Sequence, residues 1–310
     1  MNSTDKIYVA GHAGMVGSAM VRALESHGFT NVLVRTSREL DLTRQSDVEG
    51  FLALERPEVV ILAAARVGGI MANATYRADF ITQNLQIQTN VIHSAWKAGV
   101  TRLLFFSSSC VYPRICPQPM NEDHLWSGPL EPTNEPYAVA KLAGMSMCRA
   151  YNDQHGTRFV SVVPTNLYGP HDNFDPAHSH VMAALIRTFH TAKEHNAPTV
   201  TLWGTGAPRR ELMYVDDAAE AALVVIDKYT DKEPINVGTG QDHTVRDLAQ
   251  IVKGVVGYSG AIEFDASKPD GMPRKALDAG RMLGLGWTPR VNLEQGIALA
   301  YDWYLRSLAR

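Results

Sequence analysis

The sequence predicts an α/β protein with a Rossmann-type, doubly wound parallel sheet and a smaller C-terminal α/β lobe. Three observations support this fold class. Short apolar strands alternate with helical segments along the first 110 residues, and a glycine-rich loop directly follows the first strand. The apolar run Val59–Ala65 is typical of a strand that is buried on both faces of a parallel sheet.

Successive strand–helix units account for the N-terminal third of the chain. Residues 6–10 predict a strand, and residues 15–27 have helical spacing with Gly28 as the stop. The alternation continues with strands at 32–35, 58–65 and 103–107 and with helices at 46–55 and about 79–98. Such units predict a parallel sheet with helices on both faces.

The middle of the chain is less regular. Six prolines make residues 112–136 loop-like, and a helix at 137–155 and a strand at 158–163 follow. Residues 164–179 are rich in Gly, Pro, His and Asn, which predicts an exposed functional loop.

The chain of 310 residues suggests two structural units, at about 150 residues per domain. We expect the first domain to comprise residues 1–165 together with a return segment at about 215–237. Residues 166–214 and 238–310 are expected to form the second lobe.

Composition and charge exclude several function classes. Lys and Arg number 29 against 32 Asp and Glu, so the net charge of -3 lacks the basic excess that a nucleic-acid-binding protein usually shows. The longest apolar run has seven residues, well below the roughly 18 that a membrane-spanning helix needs. The three cysteines, Cys110, Cys116 and Cys148, have no metal-ligand spacing, which predicts reduced thiols in a cytoplasmic protein and no metal site.

Gly11, Gly14 and Gly17 form a G-x-x-G-x-x-G loop between the first strand and the first helix. The first glycine permits a tight turn, the second lets the backbone approach a pyrophosphate, and the third lets the helix pack on the strand. The helix N-terminus then offers backbone N–H donors and the positive end of its dipole to the phosphates. The loop therefore predicts a dinucleotide cofactor.

The end of the second strand indicates which dinucleotide binds. An acidic residue there would bind the ribose 2′-hydroxyl of NAD, whereas a basic residue suits the 2′-phosphate of NADP. Arg35 and Arg38 stand at this position, and the first carboxylate is that of Glu39. The residues favour NADP and leave NAD as the alternative.

Tyr137 and Lys141 lie one predicted helical turn apart on the same helix face. The lysine ammonium is expected to favour the tyrosinate and so to lower the pKa of the phenol from its usual value of about 10. The tyrosine could then give or take a proton at a carbonyl while a nicotinamide delivers hydride. The serines of Ser107–Ser109 end a strand upstream and strengthen this interpretation.

Three segments resemble the extended short-chain dehydrogenase/reductase family: FSSSCVY at 106–112, YAVAK at 137–141 and VVPTNLYGP at 162–170. The resemblance places the family's catalytic serine on Ser108. It implies that the first domain binds NADP and that the second lobe binds a nucleotide-linked sugar. It also implies further cofactor-binding positions, namely Met15, Val16, Ala64, Ala65, Lys141, Pro164, Asn166, Leu167 and His180.

A longer set of motifs resembles the GDP-L-fucose synthase family and covers nearly the whole chain. These motifs are AAARVGG at 63–69, SSSCVYP at 107–113, EPTNEPYAVAK at 131–141, PTNLYGPHDNF at 164–174, SHVMAALIR at 179–187 and DASKPDGMPRK at 265–275. Members of that family epimerise GDP-4-keto-6-deoxy-D-mannose at carbons 3 and 5 and then reduce carbon 4 with NADPH. The resemblance therefore implies a GDP-linked keto-deoxy-sugar as substrate, NADPH as cofactor, and a homodimer that pairs through helices of the first domain.

The resemblance also implies roles for Cys110 and His180, which correspond to the family's proton-transfer residues for epimerisation. The chemistry of these residue types agrees. A carbonyl at carbon 4 acidifies the hydrogens on carbons 3 and 5, so inversion there needs one group to remove a proton and another to return one. Thiol and imidazole suit that work because their ordinary pKa values, about 8.5 and 6.5, straddle neutrality.

Sugar-nucleotide binding is implied for six residues, whose side chains suit a diphosphate or an aromatic cover for a ring: Asn166, Arg187, Trp203, Arg210, Asp270 and Lys275. The chain departs from the family pattern at Ala13, Thr188 and Tyr214. Because a basic residue is common at the first of these positions, one contact to the 2′-phosphate is expected to be missing.

Other functions stay open on the sequence alone. A sister enzyme could act on another GDP-ketosugar, such as a heptose or a 3-deoxy sugar, or could perform only one of the two steps. A non-catalytic dinucleotide-sensing scaffold is an alternative from another class, although a sensor has no need for Ser108, Tyr137 and Lys141 together.

Overall fold

The structure, a computed structural model, describes residues 1–176, 179–268 and 270–309. Its strands are β1 (Ile7–Ala10), β2 (Val32–Leu33), β3 (Val59–Leu62), β4 (Arg102–Phe106), β5 (Arg158–Pro164), β6 (Asn166–Tyr168), β7 (Thr199–Trp203), β8 (Arg209–Tyr214), β9 (Ile235–Val237), β10 (Asp242–Thr244), β11 (Ala261–Asp265) and β12 (Arg274–Lys275). Its α-helices are α1 (Met15–Ser26), α2 (Gln45–Glu55), α3 (Ile70–Thr75), α4 (Arg77–Lys97), α5 (Glu135–His155), α6 (Val181–Glu194), α7 (Val215–Lys228), α8 (Val245–Val256), α9 (Gly280–Gly284) and α10 (Leu293–Leu308).

Six parallel strands form the main sheet in the order β2-β1-β3-β4-β5-β9. Side chains alternate between its two faces, because successive residues of a strand point in opposite directions. Ile7 and Val9 pack with α1 and α7, whereas Tyr8 and Ala10 pack with α2, α4 and α5. The doubly wound α/β fold that the sequence predicts is confirmed.

The strand order places a topological switch point beside β1, where a crevice for a ligand forms. The chain passes from β1 to β2 on one side and returns to β3 on the other, and open α/β sheets bind ligands at such a switch point. Because all six strands are parallel, the loops that follow β1, β3, β4 and β5 gather at one edge of the sheet. The glycine loop, Ala64 and Ala65, and Ser108 and Cys110 lie on or next to these loops. Arg35 and Arg38 follow β2, and Tyr137 and Lys141 lie on α5.

A second set of strands is organised around β8, which pairs with β6, β10 and β12. The register places Lys275 beside Arg210 and Asn166 beside Leu212. Strands β7 and β11 form a separate parallel pair. Helices α6, α8 and α10 enclose an apolar cluster of their own, which gives this part of the chain a second core.

Three elements differ from the sequence predictions. Helix α5 begins at Glu135 rather than at Tyr137, because the preset φ of Pro136 suits a first helical turn. The segment predicted as an exposed loop at 164–179 contains β6, in which Tyr168 is buried, so its first part was wrongly predicted to be exposed; residues 177 and 178 lie outside the described ranges. Helix α3 was not predicted, since six residues carry too little periodicity.

Two features of the described residues bear on the function classes. None of the helices in residues 1–176, 179–268 and 270–309 is long and apolar enough to cross a lipid bilayer. Over the same ranges, no group of three or more His, Cys, Asp or Glu side chains is arranged to hold a metal ion.

Candidate active site

The loop between β1 and α1 has the geometry of a phosphate-binding turn. Gly11 has a φ of +87°, and a Cβ at this residue would lie 2.7 Å from the Ala64 backbone, so only glycine fits. A Cβ on Gly17 would overlap the Gly11 carbonyl oxygen. Helix α1 begins after the exposed Gly14 with no side-chain cap, which leaves its first N–H groups available to an anion. These residues fit a dinucleotide pyrophosphate.

Other residues predicted to bind the cofactor frame the same edge of the sheet. Met15 and Val16 are half-buried in the first turn of α1, where they pack on the apolar cluster. Ala64 and Ala65 follow β3 and are half-buried. Pro164 and Leu167, at the end of β5 and in β6, complete this set from the far side of the crevice.

Arg35 and Arg38 have different surroundings. Arg35 forms an ion pair with Glu55 at 3.1 Å, and its guanidinium carbon lies 5.3 Å from the ring centre of Phe51. Arg38 is exposed and has no ion-pair partner within the described part of the chain. A 2′-phosphate could therefore engage Arg38 without breaking an existing contact.

Ser108, Tyr137 and Lys141 meet at the carboxyl end of β4. Ser108 begins a short 3-10 helix, Ser109–Val111, and its side chain is hydrogen-bonded to that of Tyr137. Lys141 is buried, and its Nζ donates a hydrogen bond to the Phe106 carbonyl oxygen at 2.8 Å. The same Nζ lies 5.8 Å from the centre of the Tyr137 ring.

The predicted lowering of the Tyr137 pKa is wrong for this arrangement. Burial raises the pKa of the Tyr137 phenol above its ordinary value, and the hydrogen bond with Ser108 offsets only part of the rise. Burial also lowers the pKa of Lys141 to about 7, because an ammonium is poorly solvated among apolar side chains. Tyr137 is thus held as a neutral phenol, which is the form that can donate a proton.

Cys110 lies beside this trio. Its backbone N–H donates to the Ser108 Oγ at 3.3 Å, which holds the Cys110 backbone next to the serine hydroxyl. Its Sγ accepts hydrogen bonds from Asn134 Nδ2 at 3.2 Å and from Lys275 Nζ at 3.6 Å. The thiol therefore touches both the loop before α5 and strand β12 of the second strand set.

His180 precedes α6 and is open to solvent. The protein around its ring and the positive charge of Lys275 lower the pKa of the imidazole from its ordinary value. Since Lys275 also contacts Cys110, the structure connects both predicted proton-transfer residues to one ammonium group.

Three residues predicted to bind the sugar nucleotide lie near the loop that follows β7. Trp203 ends β7 with 72% of its surface exposed. The Asp270 carboxylate accepts hydrogen bonds from the Thr205 backbone at 2.6 Å and hydroxyl at 2.8 Å. Arg210 donates to the Met272 carbonyl oxygen at 2.7 Å, and burial lowers the pKa of its guanidinium while Asp270 opposes that shift.

The other three members of the predicted substrate set are dispersed. Asn166 donates to the Glu211 carbonyl oxygen at 3.0 Å. Arg187 lies on α6, where its Nε is buried and has no hydrogen-bond partner among the described residues. Lys275 contacts Cys110 and so lies at the reacting end of the site.

Sequence reasoning missed two residues that organise the site. Asn134 stands three positions before Tyr137 and contacts Cys110. It was missed because an asparagine directly before a helix is ordinarily interpreted as the helix N-cap. Glu211 is fully buried, and its carboxylate accepts backbone N–H groups from Thr239, Gly240 and Leu277. Neither contact has a sequence signal, because the partners are distant along the chain.

Comparison with known families decides the class of the protein. The model of the NAD dependent epimerase/dehydratase family matches residues 7–238, which include the glycine loop, Ser108 and Tyr137. The chain belongs to this family. The resemblance seen in the sequence motifs is thereby confirmed.

Two relatives named GDP-L-fucose synthase are similar to this chain over nearly its full length. The chain is 56% identical to GDP-L-fucose synthase 1 of Arabidopsis thaliana, over 98% of this chain and 94% of that protein. It is 51% identical to GDP-L-fucose synthase of Escherichia coli K12, over 99% of each chain.

Two solved structures are similar over nearly the full length. A GDP-L-fucose synthetase from Naegleria fowleri bound to NADP has a TM-score of 0.92 at 28% identity, covering 100% of this chain and 96% of that one. A GDP-mannoheptose C4 reductase from Campylobacter jejuni with NADP bound has a TM-score of 0.90 at 39% identity, covering 98% and 99%. Both structures carry NADP, the cofactor that Arg35 and Arg38 favour.

Proposed function

We propose that this protein epimerises GDP-4-keto-6-deoxy-D-mannose at carbons 3 and 5 and then reduces carbon 4 with NADPH to give GDP-L-fucose. The observation that carries the proposal is the position of Cys110 beside Ser108 and Tyr137. A ketoreductase needs only the serine, the tyrosine and Lys141, whereas inversion next to a ketone needs a further proton-transfer group. The relatives named GDP-L-fucose synthase support the choice of substrate.

Epimerisation comes first, because it requires the ketone. Cys110 Sγ removes the proton from carbon 3 or carbon 5, and the electron pair moves onto the carbonyl oxygen. Ser108 and Tyr137 hydrogen-bond this oxygen and stabilise its developing negative charge. His180, in its protonated form, returns a proton to the same carbon from the opposite face, which inverts the carbon and leaves His180 neutral and Cys110 as a thiol.

Reduction uses the same hydroxyl pair. NADPH supplies the hydride for carbon 4 when it is bound, and the glycine loop, Arg38 and Lys141 would hold it. Tyr137 donates its phenolic proton to the carbonyl oxygen while Ser108 keeps its hydrogen bond to that oxygen. Lys141, next to the Tyr137 ring, stabilises the phenolate that remains.

The GDP portion is assigned to the second lobe, residues 166–214 and 238–310. Arg187 and Arg210 would pair with the diphosphate, since guanidinium groups match its oxygens. The exposed face of Trp203 offers a stacking surface, and Asp270 offers a carboxylate to sugar or base donors. The first domain, residues 1–165 with the return segment at about 215–237, would hold NADP.

A GDP-ketosugar C4 reductase that does not epimerise is the second candidate. The similarity to the GDP-mannoheptose C4 reductase structure favours it. Under this function Cys110 would be a packing residue, and the substrate would keep its configuration at carbons 3 and 5.

One assay separates the candidates. We expect the purified protein to oxidise NADPH with GDP-4-keto-6-deoxy-D-mannose and to yield an L-configured product by NMR. Faster oxidation with the 4-keto GDP-heptose, or a D-configured product, would contradict the proposal. No oxidation with either sugar would contradict both candidates.

We also propose a cytoplasmic homodimer. All three cysteines are free, which suits a reducing compartment. Helices α4 and α5, each 21 residues long, lie side by side on the first domain and offer the pairing surface that the family resemblance implies. Light scattering on the purified protein tests the dimer, and a monomer mass at micromolar concentration would contradict it.

A further inference from the structure

Two hydrogen-bond donors converge on the Cys110 sulfur from different parts of the fold. Asn134 Nδ2, at the start of α5, lies 3.2 Å from Sγ, and Lys275 Nζ, at the end of β12, lies 3.6 Å from it. A neutral thiol is a weak acceptor, whereas a thiolate accepts charge-assisted hydrogen bonds strongly. An amide N–H and an ammonium directed at one sulfur are the surroundings that favour a thiolate.

We propose that Asn134 and Lys275 are positioning residues that hold Cys110 as a thiolate, ready to take a proton from the substrate. The inference rests on the proposed epimerisation and extends it, because it explains what makes this thiol a base.

The backbone that directly follows Lys275 is held by hydrogen bonds to side chains of both parts of the fold. The Ala276 N–H donates to Gln118 Oε1 at 3.0 Å, and the Leu277 N–H donates to Glu211 Oε2 at 2.7 Å. These bonds fix the end of β12 against both parts of the fold. The ammonium therefore reaches Cys110 from a rigid strand end rather than from a mobile loop.

The remaining ionisable groups around Cys110 do not cancel this effect. Tyr137 is held as a neutral phenol by burial. Glu131 lines the small cavity beside Cys110, but its carboxylate is paired with Arg114 at 3.4 Å. Within residues 1–176, 179–268 and 270–309, Lys275 is thus the cationic side chain that contacts the sulfur directly.

Lys275 also connects the two proton-transfer residues. The protein around the His180 ring is the larger cause of the lowered pKa of its imidazole, and the charge of Lys275 lowers that pKa further. When Cys110 is a thiolate it offsets part of that charge, and when Cys110 takes a proton the full charge acts on His180. Proton uptake at Cys110 thus favours proton release at His180, in the direction that inversion requires.

Alkylation with iodoacetamide measures the thiolate directly, because only the thiolate attacks the reagent and displaces iodide. The full-length protein is alkylated from pH 5 to 10 without sugar, and each cysteine is quantified by mass spectrometry. Cys116 is an internal reference, since burial raises the pKa of its thiol. We expect the Cys110 midpoint to lie below the ordinary thiol value of about 8.5 as well as below that of Cys116.

Two variants test the donors. Lys275→Met and Asn134→Ser should each slow Cys110 alkylation at pH 7 by about tenfold and move its midpoint up by about one pH unit, since hydrogen bonds to charged groups have this strength. Lys275→Arg should keep most of the wild-type profile. Lys268→Met removes a lysine charge that does not touch Cys110 and should leave the profile unchanged.

The Ser variant keeps the test valid if the lysine variant misfolds, because serine is a favoured residue at the start of a helix and adds no charge beside the sulfur. An unchanged midpoint in a folded variant would overturn the proposal for that residue, and a wild-type Cys110 midpoint at or above the ordinary thiol value of about 8.5 would overturn it altogether. The assay contains no sugar. A low Cys110 midpoint combined with failure of the sugar assay would therefore count against the proposed function and not against this inference.

Discussion

The Glu211 carboxylate accepts the backbone N–H of Leu277 at 2.7 Å, and this bond ties β8 to the end of the strand that carries Lys275. The same carboxylate accepts N–H groups of Thr239 at 2.6 Å and Gly240 at 2.9 Å, just beyond β9 of the main sheet. One buried side chain therefore joins the main sheet to the strand that reaches Cys110. Its burial raises the pKa of the carboxyl, and these three hydrogen bonds, with a fourth from the Thr239 hydroxyl at 3.3 Å, oppose that shift.

The first prediction concerns the space around this carboxylate. A Cβ on Gly238 would lie 2.5 Å from Glu211 Oε1, so Gly238→Ala should displace the side chain and destabilise the fold by about 1–3 kcal/mol. Gly254→Ala in α8 is the matched control, because its Cβ meets no neighbour and alanine favours a helix by about 0.5–1 kcal/mol. Urea unfolding measures both, and equal stability of the two variants would contradict the assignment.

The second prediction follows from the burial of Lys141. Its pKa is about 7 in the fold, whereas in the unfolded chain it returns to about 10.4. Between these values the unfolded chain binds more protons, so this residue makes stability rise as pH increases from 7 to 10. Below pH 7 Lys141 is protonated in both the folded and the unfolded state, so the buried ammonium destabilises the folded state to its full extent.

Lys141→Met removes this dependence without leaving a cavity. The melting temperature of the variant, measured without cofactor, should exceed that of the wild type most below pH 7, and the difference should shrink towards pH 10. A difference that stays constant from pH 6 to 10 would show that Lys141 is not held with a lowered pKa.

The third prediction is that Tyr137→Phe loses most reduction and keeps cofactor binding. The phenol is the proton donor to the carbonyl oxygen, and such donation is typically worth about 10²–10⁴ in rate. NADPH oxidation gives the rate, and fluorescence titration with NADPH gives the affinity. Turnover within a few-fold of the wild type would mean that another group donates the proton.

The sheet and the cofactor loop could be predicted because their signals are local. Apolar runs such as Val59–Leu62 show buried strands directly, and Gly11 and Gly17 occupy positions where the backbone leaves no room for a side chain. The helical spacing of Tyr137 and Lys141 likewise placed them on one face. These features need only a few neighbouring residues to be recognised.

The remaining features depend on contacts between distant parts of the chain. Lys275 and Cys110 are 165 residues apart, and no spacing rule connects them. The Tyr137 pKa was predicted in the wrong direction because helical spacing gives the distance to Lys141 but not the burial of both side chains. Burial is set by the packing of the whole domain, which the local sequence does not report.

The fourth prediction is that NADPH is preferred to NADH and that Arg38 carries more of this preference than Arg35. Arg35 is already paired with Glu55, whereas Arg38 is exposed and has no ion-pair partner within the described ranges. Arg38→Ala should therefore lower kcat/KM for NADPH by about tenfold, the scale of a charged hydrogen bond, and leave that for NADH unchanged. Arg35→Ala is the matched control with a smaller effect. Equal use of both cofactors by the wild type would contradict the assignment.

The last prediction concerns exchange of substrate hydrogens with solvent, which requires proton transfer but no hydride. In deuterated buffer without NADPH, the wild type should exchange the hydrogens on carbons 3 and 5 of the keto-sugar. Cys110→Ser should suppress exchange at both carbons, because a serine hydroxyl is a far weaker base than a thiolate. His180→Gln should slow inversion more than proton removal, since it still leaves Cys110 in contact with Lys275 and Asn134.

NMR at each carbon measures both rates, with NADPH binding as the check that each variant is folded. If Cys110→Ser exchanges as fast as the wild type, Cys110 is a packing residue and the protein is a reductase without epimerase activity.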